Sequence, residues 1–206
     1  TRASEYLEDA GVEGVPDAEQ SAADAAVKAA LDAAAPLGDV LELACGPGTF
    51  TAELAERATS VHALDAAPEM LEIAEARMAP RANVRFAQAD LFAWAPERRY
   101  DFIFFGFWLS HVPAERFASF WSTVRSALAP GGRVMFVDDG YRTKEELIEG
   151  PGSSTIERRL RDGRRFRVVK VALEPASLER ALHQLGWSIE ARTLPGPFFL
   201  GYGGSA

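Results

Sequence analysis

The sequence has one cysteine in 206 residues, no long apolar run and fewer basic than acidic side chains. Each scarcity excludes something. A lone Cys45 cannot close an intrachain disulfide and suits a reducing, cytoplasmic setting. No stretch approaches the roughly 20 apolar residues of a membrane span, and no secretory leader pattern is visible. Lys and Arg number 22 against 30 Asp and Glu, so the net charge of −8 argues against a general nucleic-acid binder. What is present fits a single globular domain. The chain is 48% hydrophobic and 25% charged, and it is long enough to bury a real core.

The most informative stretch is Val40-Leu-Glu-Leu-Ala-Cys-Gly-Pro-Gly-Thr-Phe50. Val40, Leu41 and Leu43 read as a buried strand. Gly46 and Gly48 lack Cβ and let the backbone turn sharply beside a ligand. Thr49 is placed to cap the helix that follows. A strand, a glycine turn and a helix start form the ligand-binding corner of a doubly wound sheet.

The rest of the chain supports that architecture. Residues 1–37 are rich in Ala and acids and read as helical. They are either a helix packed on the sheet edge or a lid over the ligand, with Tyr6 as a contact. From Asp39 strands alternate with helices. Strands are expected at 39–44, 60–65, 83–88, 100–106 and 133–138, with helices at about 49–58, 68–78 and 114–128 between them. Pro68 at a helix start and the spacing of Met70, Leu71, Ala74 and Met78 support the second helix. The segment 100–106 is nearly all apolar, as a central strand covered on both faces should be. Such alternation predicts a parallel sheet with right-handed crossovers. Residues 154–171 read as a β-hairpin turning at Arg161-Asp162-Gly163. A helix at about 176–185, ended by Gly186, precedes two edge strands at 187–193 and 198–202.

These pieces resemble the class I S-adenosylmethionine (SAM)-dependent methyltransferases. Glu42-Leu-Ala-Cys-Gly-Pro-Gly48 resembles that family's first motif. Asp65 ends the second strand, Asp90-Leu-Phe92 follows the third, and Leu128-Ala-Pro-Gly-Gly132 precedes the fifth. Ala44 departs from the pattern, standing where the family often has its first glycine. The resemblance implies an α/β, Rossmann-like seven-stranded mostly parallel sheet with an antiparallel C-terminal strand. It carries N-terminal helices and a hairpin insertion after strand five, in a single domain spanning 1–206. It also implies SAM as cofactor and S-adenosylhomocysteine (SAH) as product. Gly46 and Gly48 would receive the methionine carboxylate, with Ala44 in the same turn, and Glu42 would balance the ammonium. Asp65 would accept from both ribose hydroxyls. Ala66 and Met70 would flank the adenine, Asp90 and Leu91 would bond it, and Phe107 would line the pocket. An Asp after strand two also suits a nicotinamide dinucleotide. That fold wants a third glycine, which falls here on Phe50 or Thr51.

Methyl transfer requires alignment first, and a base only where the nucleophile carries a proton. His111, in Phe107-Trp108-Leu109-Ser110-His111, is the candidate base, or else a structural histidine ahead of the next helix. Trp108 and Tyr141 are candidate substrate contacts. No Asn-Pro-Pro-Tyr-type motif follows strand four, which disfavours exocyclic amines of nucleic-acid bases. Asp138 and Asp139 are two adjacent acids whose side chains should diverge, too few for a metal site. The hairpin carries Arg158, Arg159, Arg161, Arg164, Arg165, Arg167 and Lys170. It is a solvated edge, a cap presenting Arg164 and Arg165 to an anionic substrate, or a homodimer contact with an acidic N-terminal helix. The reading reached is a methyltransferase acting on a small molecule, with O-methylation ahead of N or S. Its alternatives are a methyltransferase of RNA or protein, and a non-catalytic SAM-binding module.

Overall fold

The computed structural model describes residues 16–206 except 36, 141, 143–146, 148, 151 and 160–162. Five strands run parallel: β1 (Asp39–Leu43), β2 (Ser60–Asp65), β3 (Val84–Gln88), β4 (Tyr100–Gly106) and β5 (Leu128–Asp139). A hairpin of β6 (Thr155–Arg159) and β7 (Arg165–Val169) forms a separate antiparallel pair. The chain closes with β8 (Trp187–Thr193) and β9 (Phe198–Ser205). The main sheet has the order β3-β2-β1-β4-β5-β9-β8. Only β9 runs against its neighbours, pairing antiparallel with both β5 and β8.

Side-chain alternation along β4 explains the layering. Phe102 and Phe104 enter one core with Val27 and Leu31 of α1 (Asp17–Ala34), Leu54 of α2 (Thr51–Ala55) and Leu71 of α3 (Pro68–Met78). Ile103 and Phe105 enter the other, with Phe120 and Trp121 of α4 (Ala114–Ala127) and Leu178 and Leu182 of α5 (Pro175–Gln184). A period of two on a central strand thus feeds two cores, which is why nearly every residue there is apolar. In the second core Phe105 stacks on Phe136 at 5.2 Å, and Trp121 meets Trp187 edge-on at 5.0 Å.

Two expectations change. Helix α2 starts at Thr51 behind Phe50 and has no side-chain cap, so Thr49 does not cap it. The hydroxyl of Thr51 turns inward instead, for a reason given below. Strand β5 starts at Leu128, not Arg133. Its Ala129-Pro-Gly-Gly132 stretch stays within the strand as an irregularity in the β4 register rather than a separate turn. Of the segment 1–37, read as a sheet-edge helix or a lid, residues 1–15 lie outside the described residues. The part that is described, α1, packs on the sheet through Ala23, Val27 and Leu31. Among the described residues no helix is long and apolar enough to cross a membrane.

All five parallel strands end at one rim, where doubly wound sheets bind their ligands. The β5–β9 pairing that closes this rim depends on Gly201, which lies opposite Phe136. A Cβ on Gly201 would collide with the Phe136 ring. Gly201→Ala is therefore expected to cost about 1–3 kcal/mol, read as a lower midpoint in denaturant unfolding. An unchanged midpoint would mean that Phe136 has room to move.

Candidate active site

The rim begins with the turn after β1. Ala44 has φ +53, Gly46 φ +55 and Gly48 φ +79, so the chain passes through the left-handed region three times in five residues. Gly48 needs its missing side chain, because a Cβ there would lie 3.2 Å from the Ala74 Cβ of α3. Nothing lies within 4 Å of the Cβ position on Gly46, so the space above that residue is open. Ala44 pays the left-handed strain of about 1–2 kcal/mol that a glycine would avoid. Phe50 and Thr51, where the third glycine of a dinucleotide fold would fall, both turn inward: Thr51 to Glu42 and Phe50 to the end of β4. The Phe50 ring covers Gly106 and lies 5.0 Å from Phe104 and 6.2 Å from Phe107, coupling the turn to the end of β4.

Beneath the turn lies Glu42, only 1% exposed. Thr51 Oγ1 donates to its Oε2 at 2.6 Å. Burial pushes the Glu42 carboxyl up to about 8, the Thr51 hydrogen bond pulls it down, and the nearby Asp65 charge pushes it further up. Cys45, beside it, is likewise pushed up, first by burial and then by Glu42 and Asp65. Without a cationic ligand, burial thus favours the protonated form of Glu42 beneath the open turn.

Asp65 sits across the turn at the end of β2. Gly46 N–H donates to its Oδ2 at 2.8 Å and Ala67 N–H to its Oδ1 at 2.9 Å. Both oxygens are thereby oriented, and each keeps a lone pair for a ligand hydroxyl. Ala66 is exposed and Met70 half-buried at the start of α3. After β3, Phe92 N–H donates to Asp90 Oδ1 at 2.9 Å, while Leu91 turns into the core. Among the described residues no cluster of three or more His, Cys, Asp or Glu is arranged to hold a metal ion.

The segment after β4 forms the second half of the rim. Phe107 has φ +54, a strained value for a bulky residue, and its ring lies 6.0 Å from Phe198. Trp108 packs against Phe92 at 5.5 Å. Its buried Nε1 has no hydrogen-bond partner among the described residues, a property shared by Trp121 in the core. His111 closes a 3-10 turn, Leu109–His111, and its Nδ1 lies 2.6 Å from the Val169 carbonyl of β7.

Asp138 and Asp139 do not diverge as expected. Lys170 Nζ lies 3.0 Å from Asp139 Oδ2 and 3.6 Å from Asp138 Oδ1, and donates to Ser110 Oγ at 3.0 Å. Ser110 donates its N–H to Asp138 Oδ2 and its hydroxyl to Asp138 Oδ1, each at 2.8 Å. Burial pushes Asp138 up, and the Lys170 ammonium and Ser110 N–H oppose that. Lys170 is 1% exposed, so it is no part of a solvated basic stripe. Its neighbours carry the missed signal: a lone lysine inside the apolar run Val168-Val169-Lys170-Val171. Arg164 and Arg165 lie exposed at the outer end of the hairpin, with Arg165 paired to Glu157 at 2.9 Å. Tyr6 and Tyr141 lie outside the described residues.

This rim has relatives. Residues 40–132 match the family model described as a methyltransferase domain. The malonyl-[acyl-carrier protein] O-methyltransferase of Paenibacillus sp. (strain JDR-2) is 38% identical over 118 residues, 52% of this chain and 41% of that protein. The trans-aconitate 2-methyltransferase of Methylobacterium radiotolerans is 42% identical over 94 residues, 45% of this chain and 34% of that one. The matches thus span less than half the length of these curated relatives. The solved structure of DhpI with SAH is 41% identical with a TM-score of 0.81, and covers 100% of this chain and 92% of its own. The chain belongs to the SAM-dependent methyltransferases. DhpI has also been solved with SAM and HEP, at a TM-score of 0.82. The glycine turn, Asp65 and Asp90 each follow a parallel strand at this rim, and the space above Gly46 is open.

The buried Glu42 makes stability pH-dependent. Its folded value, about 8, lies above the 4.5 of an ordinary glutamate. Between these the unfolded chain releases a proton that the fold retains, so stability falls as pH rises through that window. Glu42→Gln removes the burden and should stabilise the ligand-free protein by a few kcal/mol at pH 8.5, on the order set by the shift, with little gain at pH 5. Denaturant midpoints across this range test it; parallel curves for the two proteins would show that Glu42 is ionised in the fold.

Proposed function

We propose that this chain moves the methyl group of SAM to an oxygen of a small anionic acceptor. The observation that carries the reading is the first half of the rim. There the open glycine turn stands between Glu42, buried in β1, and an oriented Asp65 carboxylate at the end of β2. SAM supplies an already activated methyl on a sulfonium, so the protein's task is alignment and exclusion of water. Asp65 suits a vicinal diol, through oxygens that Gly46 and Ala67 already orient. Glu42 suits an ammonium, which would draw off its proton. Asp90, Leu91, Ala66, Met70 and Phe107 would enclose the remaining ring.

The acceptor is read from the second half. His111 is the proton acceptor where the nucleophile needs one, and Trp108 offers its buried N–H to an oxygen. A carboxylate oxygen needs no base, and an acidic acceptor agrees with the names of two relatives, a malonyl O-methyltransferase and a trans-aconitate methyltransferase. Arg164 and Arg165, on the exposed end of the hairpin, would draw an anion toward the rim. The lone thiol suits a cytoplasmic setting. A homodimer through the hairpin is the second use of the same arginines, and sedimentation of the double variant distinguishes it.

Calorimetry with SAM and SAH tests the donor half. Asp65→Ala is expected to weaken SAH binding at least about tenfold, the scale of lost hydrogen bonds to a charged group. No heat with either compound would sink the reading. A panel of di- and tricarboxylates and phosphonates with SAM, followed by mass spectrometry, tests the acceptor half. The expected product is heavier by one methyl and base-labile, as an ester is. Replacing Arg164 and Arg165 with Ala should raise KM for such an acceptor while leaving SAH affinity unchanged.

A further inference from the structure

The β6–β7 hairpin belongs to no strand of the main sheet, and a short polar seam holds it to the rim. Backbone contacts make up part of that seam. Val171 N–H donates to the Ser110 carbonyl at 2.7 Å, and His111 Nδ1 meets the Val169 carbonyl at 2.6 Å. A carbonyl only accepts, so Nδ1 carries the proton and the lone pair of the neutral ring is on Nε2. Between those two backbone contacts stands Lys170, whose ammonium joins Ser110 Oγ to Asp139 and Asp138. The cation therefore ties three pieces together: the end of β5, the segment after β4, and the strand that bonds His111.

We propose that Lys170 is a positioning residue. By fastening β7 to Ser110 and Asp139 it holds the Val169 carbonyl on His111 Nδ1, and so keeps Nε2 as the basic nitrogen of the ring. Without the ammonium, two adjacent buried carboxylates lose the cation between them, which strongly favours separating the seam. The Val169 carbonyl then leaves Nδ1, and the ring returns to the mixture of tautomers of a solvated imidazole. The inference rests on reading His111 as the proton acceptor.

Its test needs no acceptor, so it fails independently of the transferase reading. Long-range nitrogen–proton NMR of the imidazoles distinguishes the two tautomers directly. His62 supplies the opposite signature within the same protein. Its Nδ1 accepts from Arg85 at 3.0 Å and from the Tyr100 hydroxyl at 2.6 Å, which puts its proton on Nε2. His111→Asn identifies the His111 signals. In the wild type His111 is expected in the Nδ1–H form, and in Lys170→Met it should move to a mixture dominated by Nε2–H, with SAH affinity unchanged. Should Lys170→Met fail to fold, Asp139→Asn is read in its place and should give a smaller shift in the same direction. An Nε2–H signature in the wild type would overturn the proposal. So would an unchanged Nδ1–H signature in Lys170→Met, or in Asp139→Asn where that variant is the one read.

Discussion

Carboxylates buried at the rim of a parallel sheet are the constraint around which this molecule is built. Glu42, Asp138 and Asp139 are all removed from water at the ends of β1 and β5. An acid in that position must be protonated, hydrogen-bonded or paired, because isolated buried charge is too costly. Each of the three answers is used. Glu42 keeps its proton and takes a hydroxyl from Thr51. Asp138 takes three hydrogen bonds, from Ser110 and the Asp139 N–H. Asp139 takes the Lys170 ammonium.

Those answers divide the rim into two halves with different chemistry. The half around β1 and β2 is left incomplete. An acid waits under an open turn, and Asp65 is oriented by two backbone donors. In the half around β4 and β5 the acids are satisfied within the protein, by Lys170, Ser110 and the Asp139 N–H. Phe50 joins the halves, because its ring touches both the first turn and the end of β4. The glycine-turn half and the hairpin-bearing half are thus mechanically close without sharing charged groups.

Most of the first half could be read along the chain. The turn from Val40 to Phe50, Asp65 and Asp90 are local features, each one strand end followed by one loop, and local spacing places them. The cap at Thr49 was misjudged because Thr51, two residues on, has a stronger demand from Glu42, which only becomes neighbouring when β1 and α2 pack. The second half was less legible. Lys170 belongs by sequence to a run of arginines, and a count of charges cannot separate a solvated cation from one that turns inward. Likewise the divergence expected of Asp138 and Asp139 holds for an isolated strand and fails once a cation approaches from another sheet.

By itself the sequence determined the α/β architecture and the family to which the chain belongs. Those rest on period, glycine turns and acids at strand ends, each read from one strand and the loop that follows it. Tertiary structure alone decided the protonation of Glu42, the tautomer of His111 and the burial of Lys170. Each depends on groups far apart in the chain, 60 positions in the case of Lys170 and Ser110. Desolvation and pairing are properties of the packed neighbourhood, which no single stretch of residues contains. The turn at Gly46 is legible in the sequence, and the fold around it sets the charge state of the acid beneath it.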